Sequence, residues 1–423
     1  MRLRRAALRP FALPLARGLS TAHGVVATRR GWLVSLEDPH GHVGFGEATP
    51  LADFGTESHA DCEAALERLL PAIAESGECA LNLDLERDPE LGLEEWLAPL
   101  ASMRLQAPCA VAAIDTALHD LAARRAALPL AEWLRLRSGD PGPPAAEIAV
   151  QALVGGETPG QVAESTHRAR AEGFTTFKLK LAVSAARRGE TRGDGRGDLG
   201  RDRARVAALR EAAGPEARLR LDANEAWTRG EAAAALESLA TFDIDYVEQP
   251  VAREDLDSLA WLAAESPIAV AADEALLGVG LEACLERGAA SILILKPSAL
   301  GGVGRVRQLV VRARASGLRL VWSTLLDGAV ARAAVWHLAA GLGPADEIHG
   351  LATGDWLARD LAPMPAIRAG RLGSPGTGPG LGLWPGSGSV PGTGSGTDRD
   401  EGSAAPTAET PWSGPARSFG SDA

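Results

Sequence analysis

From residue 147 onward the chain alternates between two kinds of segment. Short apolar runs with strand-like composition are followed by a polar loop and then an amphipathic stretch rich in Ala, Leu and Arg. The runs are EIAVQALVGG (147–156), TTFKLKLAV (175–183), ARLRLDAN (217–224), DYVEQP (245–250), IAVAADEA (268–275), SILILKPS (291–298), LRLVWSTLL (318–326) and EIHGLAT (347–353). Helical segments such as GEAAAALESLATF and VGRVRQLVVRARASG lie between them. Eight strands alternating with helices predict an α/β protein with a parallel sheet, and eight is the count that closes a β/α barrel.

The pattern before the barrel differs. WLVSLEDPHGHVGFGE (32–47) alternates around a Pro-His-Gly turn and predicts a hairpin. CAVAAIDTALHDLAARRAALPLAEWL (109–134) predicts one long helix, with Ile114, Ala117, Leu118 and Leu121 at helical spacing. Residues 1–135 therefore read as a separate α+β domain, ahead of a barrel over 136–353. DWLARDL (355–361) is too short to pack alone and is expected to return to the first domain, within a segment over 354–383. From residue 384 to 423 the chain turns to Gly, Ser, Pro and Thr, a disordered-tail composition to which no function is assigned. A second Gly- and charge-rich stretch (184–205) follows the second barrel strand. Its two RGD triplets read as chance. GGVGRV (301–306) lacks the spacing and the acidic partner of a dinucleotide loop.

Composition narrows the class. The chain has 423 residues, 46% hydrophobic and 23% charged, enough for a ~250-residue barrel and a second domain. A net charge of -12 argues against general nucleic-acid binding. Cys62, Cys79, Cys109 and Cys284 lie far apart with no CxxC, so neither a disulfide framework nor a zinc site is indicated, and a reducing, cytoplasmic location is expected. The basic start MRLRRAALRPFALPLARG is broken by Pro10, Pro14 and Arg17, so it reads as a strand and not as a signal peptide. No apolar run approaches the ~18 residues of a membrane span.

Chemistry concentrates at the strand ends. The second strand carries Lys178 and Lys180, two apart and so on one face. The third ends in Asp222, the fourth in Glu248, the fifth in Asp273 and the sixth in Lys296, each about one β/α unit after the last. Equivalent points on successive barrel strands form the C-terminal mouth, where such active sites lie. Three converging carboxylates repel unless a cation stands between them. With no His or Cys in the set, all-oxygen ligation suits magnesium, with manganese as a substitute. A lysine that accepts a proton must be neutral, against an ordinary pKa near 10.4, and a neighbouring ammonium together with a divalent cation lowers it. Lys178 beside Lys180 serves that end. A metal with a base beside it points to abstraction of a proton α to a carboxylate, so the expected partner is a small-molecule carboxylate substrate.

KLK, LDAN, VEQP, ADE and LKPS together resemble the enolase superfamily, in the branch with a lysine on each side of the metal. Within it, PLARGLSTAHG, GFGEATPL and HGLAT are similar to the o-succinylbenzoate synthase family, and the likeness runs from about residue 8 to 383. The resemblance implies a modified TIM (β/α)7β barrel with an α+β cap formed by the N-terminal region and the C-terminal return. It implies a dehydration of 2-succinyl-6-hydroxy-2,4-cyclohexadiene-1-carboxylate to o-succinylbenzoate in menaquinone biosynthesis. Carried over, Asp222, Glu248 and Asp273 bind magnesium, Lys180 moves the α proton, Lys296 stabilises the charged intermediate and Lys178 supports. Arg220 and Asn224 would help hold the substrate, and Ser20, Thr21, Gly350, Leu351 and Thr353 would line the pocket. On the seventh strand Ser323, Thr324 and Asp327 stand where relatives usually have Ser-Ser and a glutamate. The same metal and lysine pair would also serve an N-acylamino acid racemase or a dipeptide epimerase.

Overall fold

The computed structural model describes residues 3–21, 24–75, 100, 102–139, 142–181, 199–278, 280–344, 346–384 and 412–419. The cap is built on an antiparallel sheet of β1 (Arg5–Thr21), β2 (Gly24–Glu37) and β3 (Val43–Ala48), as the hairpin pattern predicts. Strand β3 lies directly on helix α2 (Pro108–Arg125), with α1 (His59–Glu75) beside it. Gly44 and Gly46 permit this approach. A Cβ on Gly44 would stand 2.1 Å from the Ala117 carbonyl oxygen, and one on Gly46 would stand 1.8 Å from that of Ala113.

The helix expected over 109–134 is two helices. α2 stops at Arg125, Ala127 takes a left-handed φ of 55°, and α3 (Leu130–Ser138) starts after Pro129. Proline disfavours helical geometry in the residue before it and has no N–H to continue the ladder, so Leu128-Pro129 breaks a pattern that side-chain spacing alone runs together. α2 is buried along almost its whole length. Asp120 on it accepts from the Phe45 N–H of the cap (2.8 Å) and from the Leu381 N–H of the C-terminal return (2.7 Å). Asp115 accepts from Gly304 of the barrel at 3.0 Å.

The barrel strands follow in the expected order. They are β4 (Glu147–Val150), β5 (Ala152–Val154), β6 (Thr176–Lys180), β7 (Arg218–Asp222), β8 (Ile244–Glu248), β9 (Val270–Ala272), β10 (Ile292–Leu295), β11 (Arg319–Trp322) and β12 (Ile348–His349). The first run is split at Gln151. Its second half pairs in parallel with β6 and its first half with β12. Strands β5 to β11 form one parallel sheet in sequence order, and a parallel bridge between Ser323 and Gly350 joins β11 to the β12 run and closes the ring. Helices α4 (Pro159–Ala171), α5 (Leu199–Ala213), α6 (Arg229–Leu239), α7 (Leu256–Glu265), α8 (Gly280–Arg287), α9 (Pro297–Leu300), α10 (Val303–Ala315) and α11 (Ala329–Leu342) connect the strands. Thr158 with Gln161, and Thr228 with Glu231, form capping boxes that start α4 and α6.

Alternation along β6 places Phe177 and Leu179 in the core and turns Lys178 and Lys180 the other way. The interior below the mouth is filled by Tyr246, Ala271, Ile292, Ile294 and Val321. The return after β12 touches cap and barrel alike. Leu357 bridges Leu15 of β1, and β13 (Arg371–Gly373) pairs antiparallel with β4.

The end of the tail departs from the reading of 384–423 as unstructured. β14 (Arg417–Phe419) pairs antiparallel with residues 6–8 of β1, and Trp412 bridges Phe11. The Arg9 guanidinium stands 3.9 Å from the Trp412 ring centre, and Arg417 pairs with Glu63 and Glu67 on α1. The overall composition of the tail hid Trp412, Arg417 and Phe419, which have partners on the cap. The insertion over 184–205 lies outside the described residues up to position 198.

Candidate active site

The strand register brings the charged residues together. Lys180 pairs across with Asp222, and Asp222 with Glu248. Glu248 faces Ala271, two residues before Asp273. A cavity of about 320 Å³ opens above them, with Lys178, Lys180, Asp222, Asp273 and Lys296 in its wall. Glu248 lies just below, fully buried.

The two outer lysines neutralise these acids. The Lys178 Nζ donates to Glu248 Oε2 at 2.7 Å and stands 2.9 Å from Asp222 Oδ2. Lys296 pairs with Asp273, and its Nζ lies 4.0 Å from the centre of the Phe54 ring. Burial works against the Lys178 charge, but Asp222 and Glu248 outweigh it and hold its pKa well above the usual lysine value. Burial pushes Glu248 up to about 8, against the pull of Lys178 and with the repulsion of Asp222 and Asp273. Asp273 is likewise raised, by burial first and by Glu274.

As placed, the carboxylates are drawn onto the lysines, and no His, Cys, Asp or Glu cluster among the described residues is closed tightly enough to ligate an ion. The donor set nevertheless fits a hard divalent cation. Glu248 Oε1 and Glu274 Oε2 are buried without a hydrogen-bond partner, and the Asp and Glu oxygens have an excess of like charge. Glu274 accepts from the Asn224 amide at 3.3 Å and belongs to the same wall.

Several expected substrate contacts line the cavity: Asn224, Ser323, Thr324, Gly350 and Thr353. The Thr324 and Thr353 hydroxyls are 3.1 Å apart. Two do not. Arg220 is fully buried below the mouth, where it donates to Gln151 (2.8 Å), Asp245 (2.9 Å), Glu347 (2.7 Å) and the Ile348 carbonyl (2.6 Å). It lies two residues before Asp222 on β7, a layer deeper in the barrel, and its length carries it to acids at the strand starts. Leu351 turns away from the site into a second cavity beside Arg332 and Met364. Ser20 and Thr21 pair in the backbone with Val25 and Gly24 at the end of the β1–β2 hairpin, and their side chains lie outside what is described. Asp327 is buried behind the wall, accepting from the Leu325 N–H (3.0 Å) and the Ser298 hydroxyl (3.2 Å), so it shapes the Leu325–Leu326 turn and does not face a ligand.

The remaining wall was not foreseen. Leu51 and Phe54 come from the cap, Leu325 and Leu326 follow β11, and Trp356 follows β12. They sit in irregular segments, where no periodicity marks an inward face. Glu274 was visible in the ADE motif beside Asp273.

The chain belongs to the enolase superfamily: residues 161–385 match the Enolase C-terminal domain-like family. Residues 3–85 match the family "MenC, N-terminal domain". Among individual proteins, it is 30% identical over 335 residues to an o-succinylbenzoate synthase of Thermosynechococcus vestitus, covering 78% of this chain and 87% of that one. It is 28% identical over 305 residues to a hydrophobic dipeptide epimerase of Enterococcus faecalis, covering 72% and 77%. The crystal structure of the Enterococcus faecalis dipeptide epimerase, complexed with Mg and the dipeptide L-Leu-L-Tyr, superposes with a TM-score of 0.76 at 25% identity, covering 90% of this chain and 99% of that one.

Proposed function

We propose that the protein dehydrates 2-succinyl-6-hydroxy-2,4-cyclohexadiene-1-carboxylate to o-succinylbenzoate, the step of menaquinone biosynthesis that fits this site. The match of the cap to the MenC N-terminal domain and the synthase relative support this reading. The observation that carries it is the distribution of charge in the cavity. Its acids, Asp222, Asp273 and Glu274, come from the ends of β7 and β9 and keep company with Lys178, Lys180 and Lys296, whereas Leu51, Leu325, Leu326, Ala352, Thr353 and Trp356, from the cap and from the loops after β11 and β12, carry no charge. A dipeptide would bring an ammonium group with no counter-anion among those residues, which is costly wherever the group is drawn out of water. A cyclohexadiene ring and its carboxylates bring none.

Asp222, Glu248 and Asp273 would hold magnesium. It would supply positive charge where negative charge develops on the substrate carboxylate. The Lys180 amine takes the α proton. The electron pair of that C–H bond becomes the new ring double bond as the C–O bond breaks, and Lys180 gives the proton to the departing hydroxyl, so that water leaves. Lys296, backed by Phe54, serves as a fixed cation beside the ring. Lys178 stays charged on Asp222 and Glu248.

A lysine on each side of the cavity also favours a second reading, racemisation of an N-acylated amino acid, which lacks the ammonium. The test is kcat/KM of the wild-type enzyme on both substrates. Greater kcat/KM for the cyclohexadiene acid is expected, and much greater kcat/KM for an N-succinyl amino acid overturns the proposal.

A further inference from the structure

The cap contributes Leu51 and Phe54 to the cavity from a short turn, Ala52–Phe54, closed by local bonds from the Phe54 N–H to the Leu51 carbonyl (2.9 Å) and from the Gly55 N–H to the Ala52 carbonyl (2.9 Å). A turn of this kind has little internal stiffness, yet its ring must stay over Lys296. The barrel side supplies a fastening. Arg253, on the loop after β8, donates from one guanidinium nitrogen to the Phe54 carbonyl at 2.7 Å. Its Nε and other nitrogen grip the two carboxylate oxygens of Glu225 at 2.9 and 2.6 Å, and its backbone N–H donates to Glu225 at 2.8 Å.

We propose that Arg253, oriented by Glu225, is a positioning residue that fastens the Leu51–Gly55 turn to the barrel mouth and thereby sets the Phe54 ring against Lys296 and the substrate. Two backbone features are shaped to this contact. Asn224 and Glu225 are consecutive non-glycine residues in left-handed conformation, with φ of 45° and 63°. Such strain persists where surrounding contacts hold it. Here the Glu225 N–H donates to the Gln249 carbonyl at 2.8 Å, and the conformation raises the Glu225 carboxylate to Arg253. On the other side, Gly55 has φ of 109°, and a Cβ there would lie 2.1 Å from the Arg253 guanidinium. A side chain at this φ would be strained and would meet the arginine where it reaches the turn. A guanidinium is also required: its planar fork spans a carboxylate and a carbonyl at once, which the single ammonium of lysine does not.

The kinetic part of the test rests on the proposed reaction; the exchange part does not. In the full chain, Arg253→Lys and Glu225→Gln are expected to speed hydrogen exchange of residues 51–57 while β7 and β8 keep their protection. On the cyclohexadiene acid, both are expected to raise KM about tenfold with kcat within about threefold, as for a loss of ring placement without loss of the reacting groups. Phe54→Ala should raise KM similarly, and Arg253→Lys added to Phe54→Ala should do no further harm, because both act through one ring. Unchanged exchange in residues 51–57, or additive effects in the double variant, overturns the proposal. If the wild-type enzyme does not turn over this acid, the function assigned above falls, and the exchange result still decides the role of Arg253.

Discussion

Lys178 and Lys180 stand two residues apart on one face of β6, yet their surroundings differ. Lys178 is fixed between Asp222 and Glu248, while Lys180 borders the cavity. Lys180→Ala should therefore lower kcat by roughly 10²–10⁴, the usual worth of a general base, with folding intact by circular dichroism. Retained turnover would remove Lys180 from that role. Arg220 belongs to a different category. Removing it leaves Asp245 and Glu347 with a lost partner, so Arg220→Met is expected to cost roughly 3–5 kcal/mol of stability, read by urea unfolding, while the KM of the folded fraction stays unchanged. Glu47 makes stability depend on pH. It accepts from Thr49 and Gly328 at 2.6 Å each and from Ala331 at 3.1 Å. Burial, with the nearby Asp327, pushes it up to about 7 from an ordinary 4.5. Between those values the folded chain keeps a proton that the unfolded chain has released. Its contribution to stability is therefore whole below about pH 4.5 and lost as pH rises to about 7. Glu47→Gln should flatten that part of the curve of Tm against pH, and parallel curves would exclude Glu47 as the source.

At the level of elements, the strand at the end of the tail changes what truncation should do. β1 would otherwise present an unpaired edge to solvent along residues 6–8, and Trp412 and Phe419 pack against the cap core. Deleting 412–419 is expected to lower Tm by about 1–2 °C, because a loss of roughly 1 kcal/mol is divided by the large unfolding entropy of a 423-residue chain. An unchanged Tm in a thermal-shift assay would show that the strand adds nothing to stability. The tail was read as unstructured because composition averages over residues. Trp412, Arg417 and Phe419 among many Gly and Ser barely alter an average, but they suffice to seat a strand where Arg9, Glu63, Glu67 and the cap core receive them. The break between α2 and α3 was legible in Leu128-Pro129, although helical spacing on either side disguised it.

At the level of the whole molecule, cap and barrel form one site in which four buried acids, Asp222, Glu248, Asp273 and Glu274, face three lysines, Lys178, Lys180 and Lys296. Excess chelator is expected to abolish turnover and to lower Tm by several degrees, since an ion bound only by the folded state stabilises it by mass action. Asp273→Asn should blunt the rise of Tm with added magnesium. A Tm indifferent to both magnesium and chelator would contradict the metal site. The barrel and its charged mouth were readable from the chain alone because both are local patterns: a strand has a period of two, and a charge recurs once per β/α unit at Asp222, Glu248, Asp273 and Lys296. Folding in three dimensions decided the rest. The ring of Phe54, the indole of Trp356 and the Leu325–Leu326 turn reach the cavity from segments with no period to read. Arg220 shares the inward face of Asp222, yet its length and the acids beneath it draw it down to the barrel floor. Which side chain of an inward face meets a ligand depends on depth and on partners far away in the chain, and those exist only once the strands are closed into a ring.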